Sequence, residues 1–358
     1  MKDVTNIEEI AKASGVSRST VSRVINNDEK VKETTRQRVL EVIQRLNYRP
    51  NLVARRLASG RTHIIGLVIP ANVSALFNDP YFPALIQGVT SACNAREYAM
   101  MLWLAEPEHE RRTIDQIAHN GLLDGVIIAS SVIDDPLHQL LLEDHFPFVM
   151  VGRHPSLPNL SYVDVDNFHG AREAVNYLFR LGRRRIATIT GPQNMIAGLD
   201  RRDGYLAALR DRGLAAEAAL ICEGDFTEAG GYHMAQRLLP ANPDAIFAAS
   251  DSMARGALRA LREAGVRVPE EVAVVGFDDM PFAAHTEPPL TTVRQPILRT
   301  GQMTVKVLLE MLQESSPQPH RMVLPTELII RASCGSGLPP ARPVELPSKE
   351  VVSSTSEA

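Results

Sequence analysis

Arg18, Ser19, Ser22 and Arg23 place two guanidinium groups and two hydroxyls within six consecutive residues. The apolar residues of the same stretch recur at helical spacing and leave these four side chains on the opposite face: Val21, Val24 and Ile25. Guanidinium forks and short hydroxyl donors are the groups that reach base edges and phosphates in a major groove. The stretch therefore predicts a helix with a DNA-contacting face.

The residues around this helix predict a helix-turn-helix over residues 7–26. Ile7, Ile10 and Ala11 have the spacing of one buried face, and a Thr5-x-x-Glu8 capping box precedes them. Ser14-Gly15 ends the first helix, and Ser17 is expected to cap the second. Residues 34–46 read as a third, amphipathic helix that closes a small core. The alternative for the first twenty residues alone is a helical hairpin with a solvated basic face.

Residues 48–61 read as a linker that contains a short helix. Pro50 ends the preceding helix, and residues 51–57 supply one or two turns before Ser59-Gly60. A helix this short is unstable alone in water, so it is expected to order only against a partner. Arg55 and Arg56 would meet phosphates, while Leu57 has no core to enter. A plain flexible linker with incidental arginines is the alternative.

Charge is distributed unevenly along the 358 residues, whose net charge is −4. Residues 1–61 hold 13 Lys and Arg against 7 Asp and Glu, and the remainder holds 25 against 35. A basic head on an acidic body indicates nucleic-acid binding by the head. No apolar run is long enough for a membrane span, and the N-terminus lacks a signal segment, so we expect a cytosolic protein. Three scattered cysteines predict buried or idle thiols, with no disulfide framework or metal site.

From residue 64 onward, short apolar runs alternate with helix-length stretches. The runs are IIGLVI, AMMLWLA, GVIIAS, FPFVMVG, RIATITG, DAIFAAS and VAVVGF. This alternation predicts an α/β core of two doubly wound parallel-sheet lobes, with ligands bound at the carboxyl ends of the strands. We expect the break between lobes near 163–167 and a disordered Pro- and Ser-rich tail at 335–358.

Several longer blocks resemble the LacI/GalR family of bacterial transcriptional regulators over residues 5–335. They are GVSRSTVSRVIN, LNYRPNLVARRLASG, ITGP, DRRDGY, ASDSMARGALRALREAGVRVPEEVAVVGFDD and LPTELIIRAS. The resemblance implies an all-α helix-turn-helix head (1–47), a DNA-induced hinge helix (48–61), and an α/β core (62–334) that dimerises. The core is expected to be similar to a type I periplasmic binding protein, with later crossovers near 291–295 and 322–326. Lys32 departs from the family, where Ser usually caps the third helix.

The resemblance also implies contacts residue by residue. The positions matching DNA contacts of the family are Thr5, Ser17, Arg18, Ser19, Thr20, Ser22, Arg23, Asn26, Tyr48, Asn51, Ala54 and Leu57. Arg18 and Ser19 fall where members differ, so they are expected to select the operator. Leu57 would wedge a central base step apart, and small Ala54 permits close approach to the minor groove.

For the effector cleft, the matching positions are Phe82, Ser131, Arg201, Phe226, Ser250 and Asp278. Arg201 and Asp278 would bond hydroxyls, and Phe226 would stack on a sugar face. Without the family, the two phenylalanines read as core aromatics and Arg201 as a solvated helix residue. Asp278, which we choose over Asp279, follows a predicted strand, where α/β sheets expose ligand-binding groups.

The resulting hypothesis is a dimeric cytoplasmic repressor, nucleoid-associated when bound, that reads a near-palindromic operator and answers a carbohydrate. A nucleobase corepressor is the alternative effector. An enzyme is disfavoured because HExxH, GxSxG, P-loop and GxGxxG motifs are missing. A transport sugar-binding protein would need a secretion signal and would not carry the basic head. No cofactor, metal or membrane partner is predicted.

Overall fold

The computed structural model describes residues 6–25, 28, 30–48, 61–70, 76, 78–104, 117, 121–130, 132–157, 159–314 and 318–337. The chain forms two compact units, Met1–His63 and Ile64–Ala358, here called the head and the core. The hinge segment and the C-terminal tail predicted from the sequence lie outside the described residues, except for Tyr48, Arg61 and residues 335–337.

The head contains three helices within its described residues: α1 (Ile7–Ser14), α2 (Arg18–Ile25) and α3 (Glu33–Arg45). Their buried faces form one small cluster, which confirms the helix-turn-helix pattern read from the sequence: Ile10, Ala11, Val21, Val24, Val39 and Val42. Gly15 adopts the left-handed conformation, φ 65°, that ends α1 and starts the turn.

The caps of these helices differ partly from expectation. Asn6, and not the predicted Thr5, caps α1, since its carboxamide oxygen accepts from the amides of Glu8 and Glu9 at 2.9 and 3.0 Å. Asn is among the strongest N-cap residues, so it takes the position directly before the helix. The Ser17 hydroxyl accepts from the amide of Thr20 at 3.2 Å, as predicted. Lys32 makes no side-chain cap on α3.

The first lobe of the core is a parallel sheet of order β11-β5-β4-β3-β1-β2. Its strands are β1 (Ile64–Ile69), β2 (Ala99–Leu104), β3 (Gly125–Ala129), β4 (Phe148–Val151), β5 (Tyr162–Val165) and β11 (Arg321–Leu324). The helices α4 (Tyr81–Asn94), α5 (Pro136–Glu143) and α10 (Ile297–Gln313) belong to this lobe, and α10 packs against both α4 and the sheet.

The second lobe is a sheet of order β12-β10-β9-β8-β6-β7. Its strands are β6 (Ile186–Thr190), β7 (Ile221–Glu223), β8 (Ala245–Ala248), β9 (Ala273–Asp278), β10 (Thr291–Arg294) and β12 (Glu327–Ile329). Its helices are α6 (Asn167–Arg180), α7 (Ile196–Arg210), α8 (Glu228–Leu238) and α9 (Asp251–Glu263). Strands β3, β6, β8 and β9 are buried along their whole length, which explains their unbroken apolar sequences.

The chain passes between the two lobes at Asp166, at 295–296 and at 325–326. The seven strands predicted from apolar runs are confirmed. One strand departs from the predicted parallel order, because β12 runs antiparallel to β10. β12 follows β11 after only two residues, so the chain passes directly from the carboxyl end of β11 in the first sheet to the start of β12 in the second. β12 therefore begins at the edge where the parallel strands of the second sheet end.

Candidate nucleic-acid interface and ligand cleft

The outer face of α2 presents the predicted polar side chains to solvent. Arg18 and Arg23 have side chains 70% and 64% exposed. Each has one acidic neighbour at a loose distance: Glu8 lies 3.7 Å from Arg18, and Asp28 lies 3.9 Å from Arg23. Exposed ion pairs of this kind contribute little, so both guanidinium groups can exchange these partners for phosphates or bases.

Hydroxyl groups at the start of α2 bond one another. The Ser17 hydroxyl lies 2.8 Å from that of Ser19 and 2.9 Å from that of Thr20. Ser19 is exposed, while Thr20 and Ser22 are partly buried. Ser17, Ser19 and Thr20 thus form a compact, hydroxyl-rich start of the helix next to Arg18.

Tyr48 is partly buried and packs against the small core of the head. Its predicted contact with DNA stays a prediction. The other predicted DNA-contacting positions lie outside the described residues: Thr5, Asn26, Asn51, Ala54 and Leu57.

A cleft between the two lobes collects residues from the carboxyl ends of both sheets. Ser130, Gly152 and Val165 border it from the first lobe, and Ser250 and Asp278 border it from the second. The space between these residues is about 910 Å³, a figure that includes the open mouth of the cleft. Strand ends that face each other in this way are where α/β proteins bind ligands.

Arg201 organises the second-lobe side of the cleft. It is 4% exposed, and its Nη1 donates to the Ala249 carbonyl at 2.6 Å and to Asp278 Oδ1 at 3.3 Å. Its Nε donates to Asn167 Oδ1 at 2.8 Å. The guanidinium lies 3.8 Å from the centre of the Phe277 ring. Arg201 is therefore a buried charged group held in place by its neighbours, and the alternative interpretation as a solvated helix residue is wrong.

Asp278, the last residue of β9, is the acidic partner of Arg201. Gln295 Nε2 donates to its Oδ1 at 2.6 Å. Burial raises the pKa of Asp278 to about 7, against the lowering effect of Arg201, and the nearby Asp79 raises it further. At neutral pH this carboxyl is therefore close to the midpoint of its protonation. The ionised form only accepts hydrogen bonds, whereas the protonated form can also donate one.

The loop that carries Asp278 is held in an uncommon backbone conformation. Asp278 and Asp279 have φ angles of 117° and 56°. Asp251, fully buried at the start of α9, accepts from the Met280 amide at 2.7 Å and from the Thr292 hydroxyl at 2.5 Å. Asp279 pairs with Arg294 and Arg331 outside the cleft lining. These contacts fix the direction of the Asp278 side chain and explain why Asp278 lines the cleft and Asp279 does not.

The remaining predicted cleft residues lie as follows. Phe82 is 6% exposed, borders the cleft and also belongs to the first-lobe core. Phe226 borders the cleft with its ring centre 5.7 Å from the Arg201 guanidinium.

Ser250 borders the cleft and caps α9 by accepting from the Met253 amide at 3.2 Å. Ser131 lies outside the described residues, next to Ser130, which does line the cleft. Their contact with a ligand stays a prediction.

Several polar lining residues were missed by the sequence reading: Asp79, Tyr81, His138, Arg153, His154, Asp164, Asn167 and Gln295. Most follow or end a strand, so the carboxyl-end rule applied to every strand would have found them. Burial raises the pKa of Asp164, as it does that of Asp79. Asp164 Oδ1 accepts from Asn167 Nδ2 at 3.3 Å, which links β5 to the Arg201 network.

Within the described ranges, no group of His, Cys, Asp and Glu side chains has the arrangement of a metal site. A search of the same residues finds no helix that combines the length and apolar character needed to span a bilayer. The three cysteines are buried, as expected from their surroundings.

Comparison with known proteins defines the class. Residues 6–51 match the family model described as bacterial regulatory proteins, lacI family, and residues 175–334 match a periplasmic binding protein-like domain. A helix-turn-helix head with such a core defines a ligand-responsive DNA-binding transcriptional regulator. The chain belongs to the LacI family, and the resemblance and fold class read from its sequence are confirmed.

Individual relatives span nearly the whole chain. The HTH-type transcriptional regulator CelR of Thermobifida fusca is 41% identical over 331 residues, covering 91% of this chain and 97% of the relative. The ribose operon repressor of Escherichia coli is 32% identical over 335 residues, covering 92% and 100%. A solved CelR–cellobiose complex has a TM-score of 0.74 at 40% identity, covering 92% of this chain and 99% of its own. The lac repressor dimer on its operator has a TM-score of 0.80 at 27% identity, covering 92% and 99%.

Proposed function

We propose that this regulator is a dimeric repressor of carbohydrate-use genes whose effector is a sugar bound between the lobes of the core. The observation that carries the proposal is the Arg201–Asp278 pair beside the Phe226 ring in the cleft. CelR, which is similar over nearly the whole chain, has been solved with cellobiose. A β-linked glucose disaccharide is therefore the first candidate effector.

The chemistry of the lining supports a carbohydrate. Arg201 supplies fixed N–H donors, the Asp278 carboxyl supplies acceptors, and Asn167 and Gln295 add amide groups. Neighbouring sugar hydroxyls both donate and accept, so they match such a mixed set. The Phe226 ring offers an apolar face for the C–H face of a pyranose. A planar nucleobase would also stack on this ring, so it remains the competing candidate.

The head supports sequence-specific DNA binding. The exposed Arg18, Ser19 and Arg23 and the partly buried Ser22 on α2 would enter the major groove, and two heads in a dimer would read a near-palindromic operator. The solved lac repressor relative is a dimer on its operator. Effector binding would alter the relation of the two lobes and so the spacing of the hinges, with coupling of about 1–3 kcal/mol.

We further propose that the protein acts in the cytoplasm, at the nucleoid when bound to DNA, and that it catalyses no reaction. The named relatives are transcriptional regulators, not enzymes. The polar side chains of the cleft can bind hydroxyl groups, and they are already hydrogen-bonded to neighbouring protein groups. Groups held in this way suit ligand recognition better than nucleophilic or acid–base catalysis.

The proposal is tested by thermal shift of the full chain with cellobiose, maltose, glucose, ribose and hypoxanthine. A specific ligand at 100 times its Kd stabilises the core by about 2.7 kcal/mol. Asp278→Asn, of the same shape, should weaken the response. Arg202→Ala is the matched control, because Arg202 neighbours Arg201 on α7 but bonds Asp203 outside the cleft.

Operator binding provides the second half of the test. The ligand that stabilises the core should change the affinity for a palindromic operator by about 5- to 150-fold. Stabilisation by hypoxanthine alone would replace the sugar with a nucleobase. If Asp278→Asn kept the full response to a sugar, the sugar would not bind through Asp278 in this cleft, and the proposed binding site would be wrong.

A further inference from the structure

The Phe226 ring packs against Gly191 so closely that no side chain fits between them. Gly191 directly follows β6, and a Cβ built on it would overlap Cζ of Phe226 and lie 2.5 Å from Cε1. Carbon atoms in contact lie about 3.5–4.0 Å apart, so any other residue at position 191 would force the ring to move. Phe226 lines the cleft and Gly191 does not. Gly191 therefore lies behind the ring, on the side away from the ligand space.

A second glycine contributes to the same close packing. Gly198 lies in the first turn of α7, and its Cα would be 3.1 Å from a Cβ on Gly191. A Cβ on Gly198 would itself overlap the carbonyl oxygen of Pro192. The start of α7 and the segment after β6 thus pack backbone against backbone. The edge of the Phe226 ring occupies space that a side chain at position 191 would otherwise fill.

The backbone of Phe226 has a conformation that is uncommon for an aromatic residue. Its φ is 64°, in the left-handed region. Hydrogen bonds hold the turn on both sides of it. The Gly224 amide donates to the Thr190 carbonyl at 2.8 Å, and Asp225 Oδ1 accepts from the Thr227 amide and hydroxyl at 2.9 and 2.7 Å. Backbone strain that is maintained by its surroundings is concentrated at functional sites, so we interpret this turn as the device that directs the ring.

We propose that Gly191 is a positioning residue for effector recognition: it lets the Phe226 ring pack deep into the wall of the cleft and so sets the space left for the sugar. This inference rests on the proposed sugar-binding function of the same cleft. Gly191 touches no ligand and acts through the ring. A methyl group at position 191 would displace the ring by about 1 Å or more, and the displaced ring would occupy space that the sugar needs.

The first experiment measures cellobiose binding to the full chain by calorimetry in a double-mutant cycle. Gly191→Ala should weaken binding about 5- to 150-fold, the range that corresponds to overpacking of a close-packed position. Phe226→Leu removes the part of the ring that meets position 191, so it should weaken binding by loss of the ring alone. Adding Gly191→Ala to Phe226→Leu should then change the affinity by less than about twofold. Equal losses from Gly191→Ala in both backgrounds would overturn the proposal.

Gly230→Ala is the matched control for disturbance of the same loop. A Cβ on Gly230 would overlap the carboxylate of Asp225, an exposed side chain that does not line the cleft. This variant should bind cellobiose within about twofold of the wild type, because the flexible carboxylate can move without moving the ring. A loss in Gly230→Ala equal to that in Gly191→Ala would show a general effect on the loop and overturn the proposal.

Thermal unfolding without ligand keeps the cycle decisive if Gly191→Ala does not fold. The overlap at position 191 involves the Phe226 ring, so the double variant should unfold at the same temperature as Phe226→Leu alone. A double variant that also fails to fold would overturn the proposal, because the overlap would then be with the backbone of Gly198.

The second experiment is ligand-free crystallography of the wild type, Gly191→Ala and Gly230→Ala. The Phe226 ring should move into the cleft by about 1 Å or more in Gly191→Ala and stay in place in Gly230→Ala. A ring in its wild-type position in Gly191→Ala, with α7 displaced instead, would overturn the proposal. Failure of the wild type to bind any sugar would refute the proposed effector, while the ring position would still decide the role of Gly191.

Discussion

Buried charge at single residues sets the properties of the cleft. Arg201 and Asp278 are 4% and 8% exposed, and each has hydrogen-bond partners besides the other. A buried pair whose partners are fully bonded is tolerated, but removal of one member leaves a charge that costs about 3–5 kcal/mol. Conservative changes such as Asp278→Asn therefore test recognition more cleanly than truncation to alanine.

Asp278 also makes stability depend on pH. Its pKa is raised by burial to about 7, above the ordinary value of 3.8 for an aspartate. The folded state therefore holds a proton that the unfolded chain has released, and this favours folding at low pH. As pH rises from about 4 through 7, that contribution is lost, on the order of a few kcal/mol.

The test compares the midpoint of thermal unfolding of the core in wild type and Asp278→Asn between pH 5 and 8. The wild type should lose stability relative to the variant as pH rises, because the variant cannot ionise. Parallel pH profiles would contradict the raised pKa.

The cleft residues differ in how far sequence reading could find them. Phe82, Arg201, Phe226, Ser250 and Asp278 were placed at the cleft through family motifs, and all five do line it. Arg153 and Asp200, 47 residues apart, were not recognised as partners. No local spacing encodes a pair that forms only when two separately folded lobes meet, so this contact required the structure.

At the scale of elements, local rules explain most helix ends but not every cap. Asn6 displaced the predicted Thr5 because the cap belongs to the residue directly before the helix, and patterns locate helix ends only to within a residue or two. Lys32 at the start of α3 adopts the extended backbone of a cap residue, φ −56° and ψ 137°, without an oxygen to offer. The first amides of α3 therefore lack a side-chain acceptor from this position.

Lys32→Ser should stabilise α3 by about 1 kcal/mol, since serine supplies the missing acceptor. Hydrogen exchange of the α3 amides in the full chain should slow about fivefold. Lys30→Ser is the control: it removes the same charge from an exposed residue that lies before the cap position. Equal protection in the two variants would show that charge, and not capping, is responsible.

One buried side chain ties several turns of the second lobe together. Arg183, 5% exposed before β6, donates to the carbonyls of Pro269, Glu271 and Asp244. Burial lowers the pKa of Arg183, yet carbonyl acceptors on several sides keep its donors satisfied. The residue thus acts as a structural anchor for the segments that precede β8 and β9.

Arg183→Met should lower the free energy of unfolding of the core by about 3 kcal/mol, because it leaves buried carbonyls unpaired. Arg184→Met, at the exposed neighbouring position, should change it by no more than about 0.5 kcal/mol. Chemical denaturation of the full chain measures both. If Arg184→Met lowered the free energy of unfolding as much as Arg183→Met does, the loss would not come from the hydrogen bonds of Arg183 to the backbone carbonyls.

At the scale of the whole molecule, the sequence specified the architecture because its signals were redundant. Strands buried on both faces appear as continuous apolar runs, and the alternation with helices requires parallel sheets. The antiparallel β12 escaped prediction because its direction follows from a two-residue crossing between lobes and not from its own residues. The division into a basic head and an acidic core is likewise visible in the sequence and coincides with the two compact units.

This division predicts that DNA affinity resides in the head and is strongly dependent on salt. Residues 1–61 carry 13 basic against 7 acidic residues, while the rest carries 25 against 35. Each phosphate neutralised by the head releases condensed counterions, so log K should fall with log salt by about 0.9 per phosphate contact. The acidic core should contribute repulsion and no compensating affinity.

The measurement is a titration of a palindromic operator at several salt concentrations with the full chain and with a chain that begins at Thr62. The full chain should show a steep negative slope, and the shortened chain should not bind. Arg23→Gln should reduce the slope by about one for each protomer that contacts DNA, since Arg23 is 64% exposed on α2 and its acidic neighbour is distant. Arg267→Gln, in an exposed pair with Glu271 in the core, should leave the slope unchanged. A flat salt dependence, or operator binding retained by the shortened chain, would place the DNA-binding surface elsewhere than on the head.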